Sequence, residues 1–420
     1  RAAGLRGAAR PGAEPDVDYV IMVDFGSSGS RAFVYAVERG TFKLEEVHKT
    51  EFEALSDFVR RRGEAGARVA EKVGESCSRI SDPRRRGRTP IYAFATAGMR
   101  LLPSAAAVPL WETVRDALGA TECNFTETSN AKTMSGDLEA VYQWVSVNQL
   151  LGSNATEGYW GILELGGASL QAAFQPTTRL NMIMQHEFDL YHLTPSGTWQ
   201  DMSLFADSWL GFGKDAALNR FHTFLWKNGS DANPCFNQGF QYNATFYNHT
   251  GENYTVLFTG SGDPERCSEL VQWNLIHPDW ECIQEPCGVA GRYFPRPGDK
   301  KFLGTSSLAH IPANLNLTKR FEPSTVPLIR ILHKTQELCR LTTDEVAVHA
   351  DFNHTDWALY QWQTCFVGHL QYWVLRSFGF TDEGETIEYR LRARGVELTW
   401  TRGAVLYETQ RQLTGGVLRA

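Results

Sequence analysis

The chain has 420 residues, 42% hydrophobic and 12% aromatic, and a formal net charge of −7. That length exceeds one ordinary core and fits two domains of about 150–200 residues each. The acidic balance excludes broad nucleic-acid binding, which needs a basic surface, and no apolar run approaches the ~20 residues that span a bilayer.

Residues 1–15 (RAAGLRGAARPGAEP) hold few large apolar side chains. They read as a flexible leader left after an upstream segment was removed, which leaves room for a membrane anchor outside the given chain. The run 19–25 (YVIMVDF) is apolar and of strand length, ends in GSSGS and is followed by 31–37 (RAFVYAV), a strand, glycine turn and strand. Arg60–Arg62 and Arg84–Arg86 lie beside Gly or Pro and read as solvated loops. A helix is predicted over 64–80, and a buried strand over 89–98 (TPIYAFATAG) that runs into a small-residue turn. Over 131–151, Leu138, Val141, Tyr142 and Val145 recur at helical spacing. The segment 158–174 (GYWGILELGGASLQAAF) then repeats the opening theme of apolar strand, acidic residue, glycine turn and strand. Beyond 228 the chain becomes richer in Cys, Asn, Pro and aromatic residues; 361–380 reads as helix and 394–413 as a closing strand or loop and helix.

The recurrence implies a duplicated α/β domain, with one glycine loop per half placed across a cleft. In the first loop Gly26 and Gly29 permit a tight turn, and Ser27, Ser28 and Ser30 add hydroxyls, together an anion cradle without a lysine. In the second, Gly166, Gly167, Ala168, Ser169 and Gln171 offer the same chemistry. Asp24 and Glu164, at the two strand ends, are hard-oxygen ligands suited to Ca²⁺ or Mg²⁺, held directly or through water. Thr96, Ala97 and Gly98 offer a further hydroxyl and close-approach backbone. Glu139, on the predicted helix, is the candidate base for a water that Ser169 and Gln171 would hold in line.

Two features place the compartment. Eight cysteines, six of them between Cys235 and Cys365, lack a repeated zinc-ligand spacing and read as disulfides. Asn124, Asn154, Asn228, Asn243, Asn248, Asn253, Asn316 and Asn353 all begin N-x-S/T sequons, against about two expected by chance. Together they point to an oxidising, glycosylating compartment, the lumen of the secretory pathway or the cell surface.

Read in order, DFGSSGS (24–30), ATAGMRLL (95–102), SGDLEAVYQW (135–144), ELGGASLQ (164–171), SWLGFGKDAALNRF (208–221) and a distal pattern including Cys365, Phe366 and Trp400 resemble the apyrase-type ecto-nucleoside triphosphate diphosphohydrolases. Within that family the Golgi and lysosomal subgroup looks nearest. The resemblance implies two actin-like, sugar-kinase-like (ribonuclease H-like) domains with an interdomain nucleotide cleft. It also implies Ca²⁺- or Mg²⁺-dependent hydrolysis of nucleoside tri- and diphosphates to monophosphates by direct attack of water. It makes Glu139 the general base, Ser169 and Gln171 the water-positioning pair, and Asp24 and Glu164 the anchors of the metal through its waters. Ser27, Ser28, Ser30, Thr96 and Ala97 become phosphate contacts. Three departures stand out: Glu164 where the family has Asp, Ala140 where it has Gly, and a loosely matching segment 299–312 near the nucleobase. Set beside the resemblance, the cysteine spacing suggests the pairs Cys235–Cys267, Cys282–Cys287 and Cys339–Cys365, leaving Cys77–Cys123. The expected domains are 16–135 completed by 391–420, and 136–390 with a disulfide-rich, glycosylated insertion at about 228–320. Glu164 and Ala140 motivate an alternative, a catalytically impaired lumenal nucleotide-binding protein; a kinase of the same fold would need a cytosolic ATP supply, against which the sequons speak.

Overall fold

A computed structural model describes residues 17–154, 156, 158–176, 185–192, 198–247, 253–319, 321–352 and 361–413. The leader 1–15, Asn248 and Asn353 lie outside them. The described residues form two compact units, one from those within 1–95, 102–133 and 193–198, the other from 96–101, 134–192 and 199–420.

The first unit opens with strand β1 (Val17–Phe25), whose Val20–Phe25 are all buried, as its unbroken apolar run requires of a central strand. β2 (Ser30–Glu38) and β3 (Leu44–Phe52) follow by antiparallel pairing, and β4 (Ile91–Ala95) and β5 (Ala131–Thr133) add in parallel. The order is β3-β2-β1-β4-β5. Helices α1 (Arg62–Ser78) and α3 (Ser104–Gly119) pack on each other in this unit, where Cys77 is joined to Cys123.

The second unit begins with the one-turn helix α2 (Ala97–Arg100) and continues with α4 (Gly136–Leu151), buried from Glu139 through Asn148 and ended by Gly152 at φ +74°. Its sheet comprises β6 (Gly161–Leu165), β7 (Ser169–Phe174), β8 (Gln185–His192), β9 (Thr198–Leu210), β13 (Phe302–Ser306), β14 (Ser324–Thr325) and β15 (Ile387–Tyr389), in the order β14-β15-β13-β6-β7-β9-β8. Its middle repeats the first sheet: β6–β7 and β7–β9 are antiparallel, and β13 and β15 add to β6 in parallel. The duplication expected from the glycine loops is thus present in strand order and sense.

Helix α5 (Lys214–Lys227) is followed by a three-stranded sheet of β10 (Ala232–Asn233), β12 (Asn253–Gly260) and β11 (Gln241–Tyr247). The expected insertion at 228–320 is therefore shorter, because β13 lies inside the main sheet, with the Phe302 ring seated where a side chain on Gly161 would be. Helices α6 (Leu328–Arg340) and α7 (Thr364–Ser377) pack together, tied by Cys339–Cys365. The remaining disulfides are Cys235–Cys267 and Cys282–Cys287, so the eight cysteines form the four suggested pairs.

The assignment of 391–420 to the first domain needs correction. The last helix, α8 (Trp400–Leu413), lies along α4 in the second unit. Gly403 makes this contact possible, since a Cβ there would sit 1.8 Å from the Tyr142 carbonyl oxygen. The Tyr142 hydroxyl donates to Glu408 at 2.5 Å, and Arg402 Nε donates to Gln149 at 2.8 Å.

Candidate functional site

The two glycine loops are built to the same plan, a four-residue turn closing an antiparallel hairpin. In the first unit the turn is Gly26–Gly29, between Phe25 and its partner Ser30. Gly26 is required there, because a Cβ would lie 2.8 Å from the Gly29 carbonyl oxygen. Ser27 and Gly29 are half-buried and Ser28 is exposed. Ser30 differs from expectation: it is buried, and its hydroxyl donates to the Glu53 carbonyl at 2.7 Å, so this donor is committed to the fold. Asp24, buried one residue before the end of β1, sits opposite Arg31 and pairs with it at 3.4 Å.

In the second unit the turn is Gly166–Ser169, with Glu164 opposite Gln171 as Asp24 is opposite Arg31. The Gly166 N–H donates to the Ser169 carbonyl at 3.0 Å. This turn is braced by 211–216: the Gly211 N–H donates to the Ala168 carbonyl at 2.8 Å, Lys214 N–H to Gly166 at 2.9 Å, and Asp215 N–H to Gly167 at 2.9 Å. The first-turn amides of α5, which have no partner within their own helix, are thus spent on the loop. Gly213 is pressed so closely on the loop that a Cβ would lie 2.4 Å from the Ala168 and Ser169 nitrogens.

Glu139 stands in the first turn of α4, buried, beside Ser169 and Gln171 of β7, which are buried too. Gln171 Nε2 donates to Glu139 Oε2 at 3.3 Å, to Ser208 Oγ of β9 at 3.0 Å, and to Ser169 Oγ over a short contact. Arg100, at the end of α2, donates from Nη2 to Glu139 Oε2 at 2.9 Å and to Ser169 Oγ at 3.2 Å, and from Nη1 to the Met134 carbonyl at 3.2 Å. Burial pushes the Glu139 carboxyl above its ordinary range, and Arg100 pulls against that rise. Thr96 is buried and heads α2 without capping it through its side chain, and Ala97 is buried beside it.

Behind Ser208 lies a second charged group. Asp207 is buried, its Oδ1 accepting from Arg292 Nη2 at 2.5 Å and from the Ser208 N–H at 2.7 Å. Arg292 also donates to the Ser208 carbonyl at 2.8 Å and lies over the Trp209 ring. Asp137, in the first turn of α4, pairs with His186 at 3.1 Å, and that bond holds its carboxyl well below the usual range. Gly136 lets α4 begin here, as a Cβ would meet the Ser208 side chain at 2.3 Å.

Glu139, Ser169 and Gln171 come together as the sequence reading placed them, and the reading missed Arg100, Ser208, Gly213 and Arg292. Arg100 lies within the quoted stretch ATAGMRLL, and Ser208 and Gly213 within SWLGFGKDAALNRF, so the signal was present without a role attached. Arg292 had none. Among the described residues, the one cluster of metal-ligand type is Cys267, Cys365 and His369, and both its sulfurs belong to disulfides, which removes the thiolates a metal would need. No helix among the described residues is long and apolar enough to cross a membrane.

The chain is 28% identical to human ectonucleoside triphosphate diphosphohydrolase 8 over 431 residues, covering 93% of this chain and 82% of that protein. It is 29% identical to guanosine-diphosphatase of Saccharomyces cerevisiae over 311 residues, covering 66% and 58%. Among solved structures, a nucleoside triphosphate hydrolase of Neospora caninum superposes with a TM-score of 0.70 at 13% identity, covering 96% of this chain and 94% of the other. A Ppx/GppA protein of Aquifex aeolicus gives a TM-score of 0.53 at 12% identity, covering 94% and 99%. These two likenesses concern the fold. The model of the GDA1/CD39 (nucleoside phosphatase) family matches residues 13–415, and the chain belongs to that family.

Proposed function

We propose that this enzyme hydrolyses nucleoside tri- and diphosphates to monophosphates and phosphate, with Glu139 as general base. The observation that carries this reading is the single hydrogen-bonded group of Glu139, Ser169 and Gln171. Gln171 and Arg100 both bond Oε2 of Glu139, and no described residue bonds Oε1. Oε1 is then the atom that takes a proton from water as the water oxygen bonds to the terminal phosphorus. The electron pair of the broken P–O bond leaves with the nucleotide. Burial of Glu139 raises its basicity, which suits a base working near neutral pH.

In the first unit Gly26, Ser27, Ser28 and Gly29 are proposed as phosphate contacts; in the second unit Gly166, Gly167, Ala168, Thr96 and Ala97 are proposed as phosphate contacts in their own right. In each unit the carboxylate before the glycine turn, Asp24 in the first and Glu164 in the second, is the residue that would hold Ca²⁺ or Mg²⁺ through its waters. Their hard oxygens, each beside a glycine turn at a strand end, fit such an ion, which when bound would neutralise phosphate charge. The relative named as an ectonucleoside triphosphate diphosphohydrolase supports a secretory lumen or cell-surface location. So do four disulfides, and sequon asparagines that are exposed at Asn228, Asn243, Asn253 and Asn316 and half-buried at Asn124 and Asn154. The reading as a binding protein without turnover gains no support, since base and water-positioning residues are all present.

The test is phosphate release from ATP, ADP, UTP, UDP, GDP and CDP with Ca²⁺ or Mg²⁺, in wild type and Glu139→Gln. Loss of one general base is expected to slow turnover by about 10²–10⁴-fold. An undiminished rate in Glu139→Gln would sink the mechanism.

A further inference from the structure

A buried glutamate serves as a base only while it is ionised, and burial alone works against that. Moving a carboxylate out of water favours its protonated form, unless a fixed opposite charge lies within bonding distance. Glu139 is buried and Arg100 is nearly so, its side chain 13% exposed. Their contact at 2.9 Å is therefore a shielded ion pair rather than a surface one.

The pair is specific in its geometry. Arg100 is fixed through Nη1 on the Met134 carbonyl, just before α4 begins, so its guanidinium is registered against the helix that carries Glu139. Nη2 spans Glu139 Oε2 and Ser169 Oγ. Gln171 bonds the same carboxylate oxygen, so both donors fix Oε2 and leave Oε1 toward the reacting water.

Among the other charged groups on α4 and the elements packed around it, Asp137 is held by His186 and Asp207 by Arg292, on α8 Arg402 bonds Gln149 and Glu408 bonds Tyr142, and on β6 Glu164 stands opposite Gln171 across the ladder. Ser169 and Gln171, the β7 groups facing Glu139, are neutral. Arg100 is the one ionised side chain among the described residues bonded to it.

We infer that Arg100 is the positioning residue of the hydrolytic site: it holds Glu139 as a carboxylate, turns Oε1 to the water, and links the base to Ser169. This rests on the hydrolytic reading above and adds to it the group that keeps the base in its working protonation state.

The experiment is the pH profile of kcat/KM for UDP and ATP, with Mg²⁺ present, in wild type, Arg100→Lys, Arg100→Met and Glu139→Gln, each checked for folding by thermal melt and circular dichroism. In Arg100→Met the acidic limb, where activity falls as Glu139 takes up a proton, should move upward by at least one pH unit. Activity below the limb then drops tenfold or more beyond any loss on the plateau, and part of it returns at alkaline pH. Arg100→Lys keeps a cation but not the fork, so its limb should stay near that of wild type, with a plateau several-fold lower. An acidic limb unmoved in folded Arg100→Met, at whatever plateau, overturns the inference. Should Arg100→Met fail to fold, the Lys variant decides with infrared titration of Glu139, identified by subtracting the Glu139→Gln spectrum. A carboxylate band titrating as in wild type supports the role, and one titrating a unit or more higher refutes charge retention as its basis. Failure of the hydrolytic reading looks different: wild type would release no phosphate, or Glu139→Gln would be as active as wild type.

Discussion

Asp207 supplies the pH dependence that belongs to a single residue. Burial pushes its carboxyl up to about 6, against the pull of Arg292 and with the repulsion of Asp137 adding to the rise. A carboxyl raised in the folded state is more easily protonated there than in the unfolded chain. Its stabilising share is therefore fully present below its unfolded value of 3.8 and lost as pH rises through about 6. Asparagine at this position stays neutral throughout and keeps an oxygen for Arg292. The Tm of Asp207→Asn relative to wild type should accordingly increase between pH 4 and pH 7, by the equivalent of roughly 2–3 kcal/mol. Parallel Tm curves for the two proteins over that range would show that Asp207 does not titrate as its surroundings dictate. At this same scale Glu139, Ser169 and Gln171 were legible in the sequence because each sits in a short motif beside glycine or a helix start. Arg100 was not, since an arginine ending a small-residue turn has the ordinary look of a solvated charge, and only the fold brings it to a glutamate 39 positions away.

Among the elements, the hairpins were the most legible. Unbroken apolar runs and a glycine turn specify strand, turn and strand with little outside help, and β1–β2 and β6–β7 have that form. What holds the second turn in shape was less legible, because the bracing segment 211–216 lies more than 40 residues further on and its role depends on backbone contacts. Gly213 is the position where this brace can be tested. A Cβ there cannot share space with the Ala168 and Ser169 nitrogens 2.4 Å away, so either the loop or the start of α5 must move. In the proposed mechanism, where Ser169 aligns the water with the base, displacing Ser169 by about 1 Å is enough to cost about 10²-fold in rate. Gly213→Ala should therefore reduce kcat on that order while circular dichroism stays that of a folded protein. Gly229→Ala, at a positive φ of 73° with no atom within 4 Å of the added Cβ, strains a turn without touching the loop and serves as the control. Equal kcat in the Gly213 variant and wild type would mean that the brace does not set the loop.

For the molecule as a whole, the duplicated sheet order was legible in the repeated glycine loops, whereas the division of the chain between the two units was only partly so. Local pattern could not show that α8 would lie on α4, because that pairing depends on Gly403 meeting Tyr142 some 260 positions earlier. The disulfides respect the division: Cys77–Cys123 lies in the first unit and the other three in the second. A cross-link stabilises chiefly by restricting the unfolded chain, and a separation of 26 residues gives about 3–4 kcal/mol for Cys339–Cys365. Both cysteines are fully buried and join two packed helices, so their loss also leaves a gap in the core. Replacing both by alanine, which introduces no buried hydroxyl, should weaken amide protection by hydrogen exchange across α6, α7 and the core they share with the rest of the second unit. Protection of β1, β2 and β4 should stay as in wild type, because none of those strands shares a core with this disulfide. Equal loss of protection in both units would instead show that the chain opens as one cooperative body, with the Cys339–Cys365 cross-link stabilising all of it.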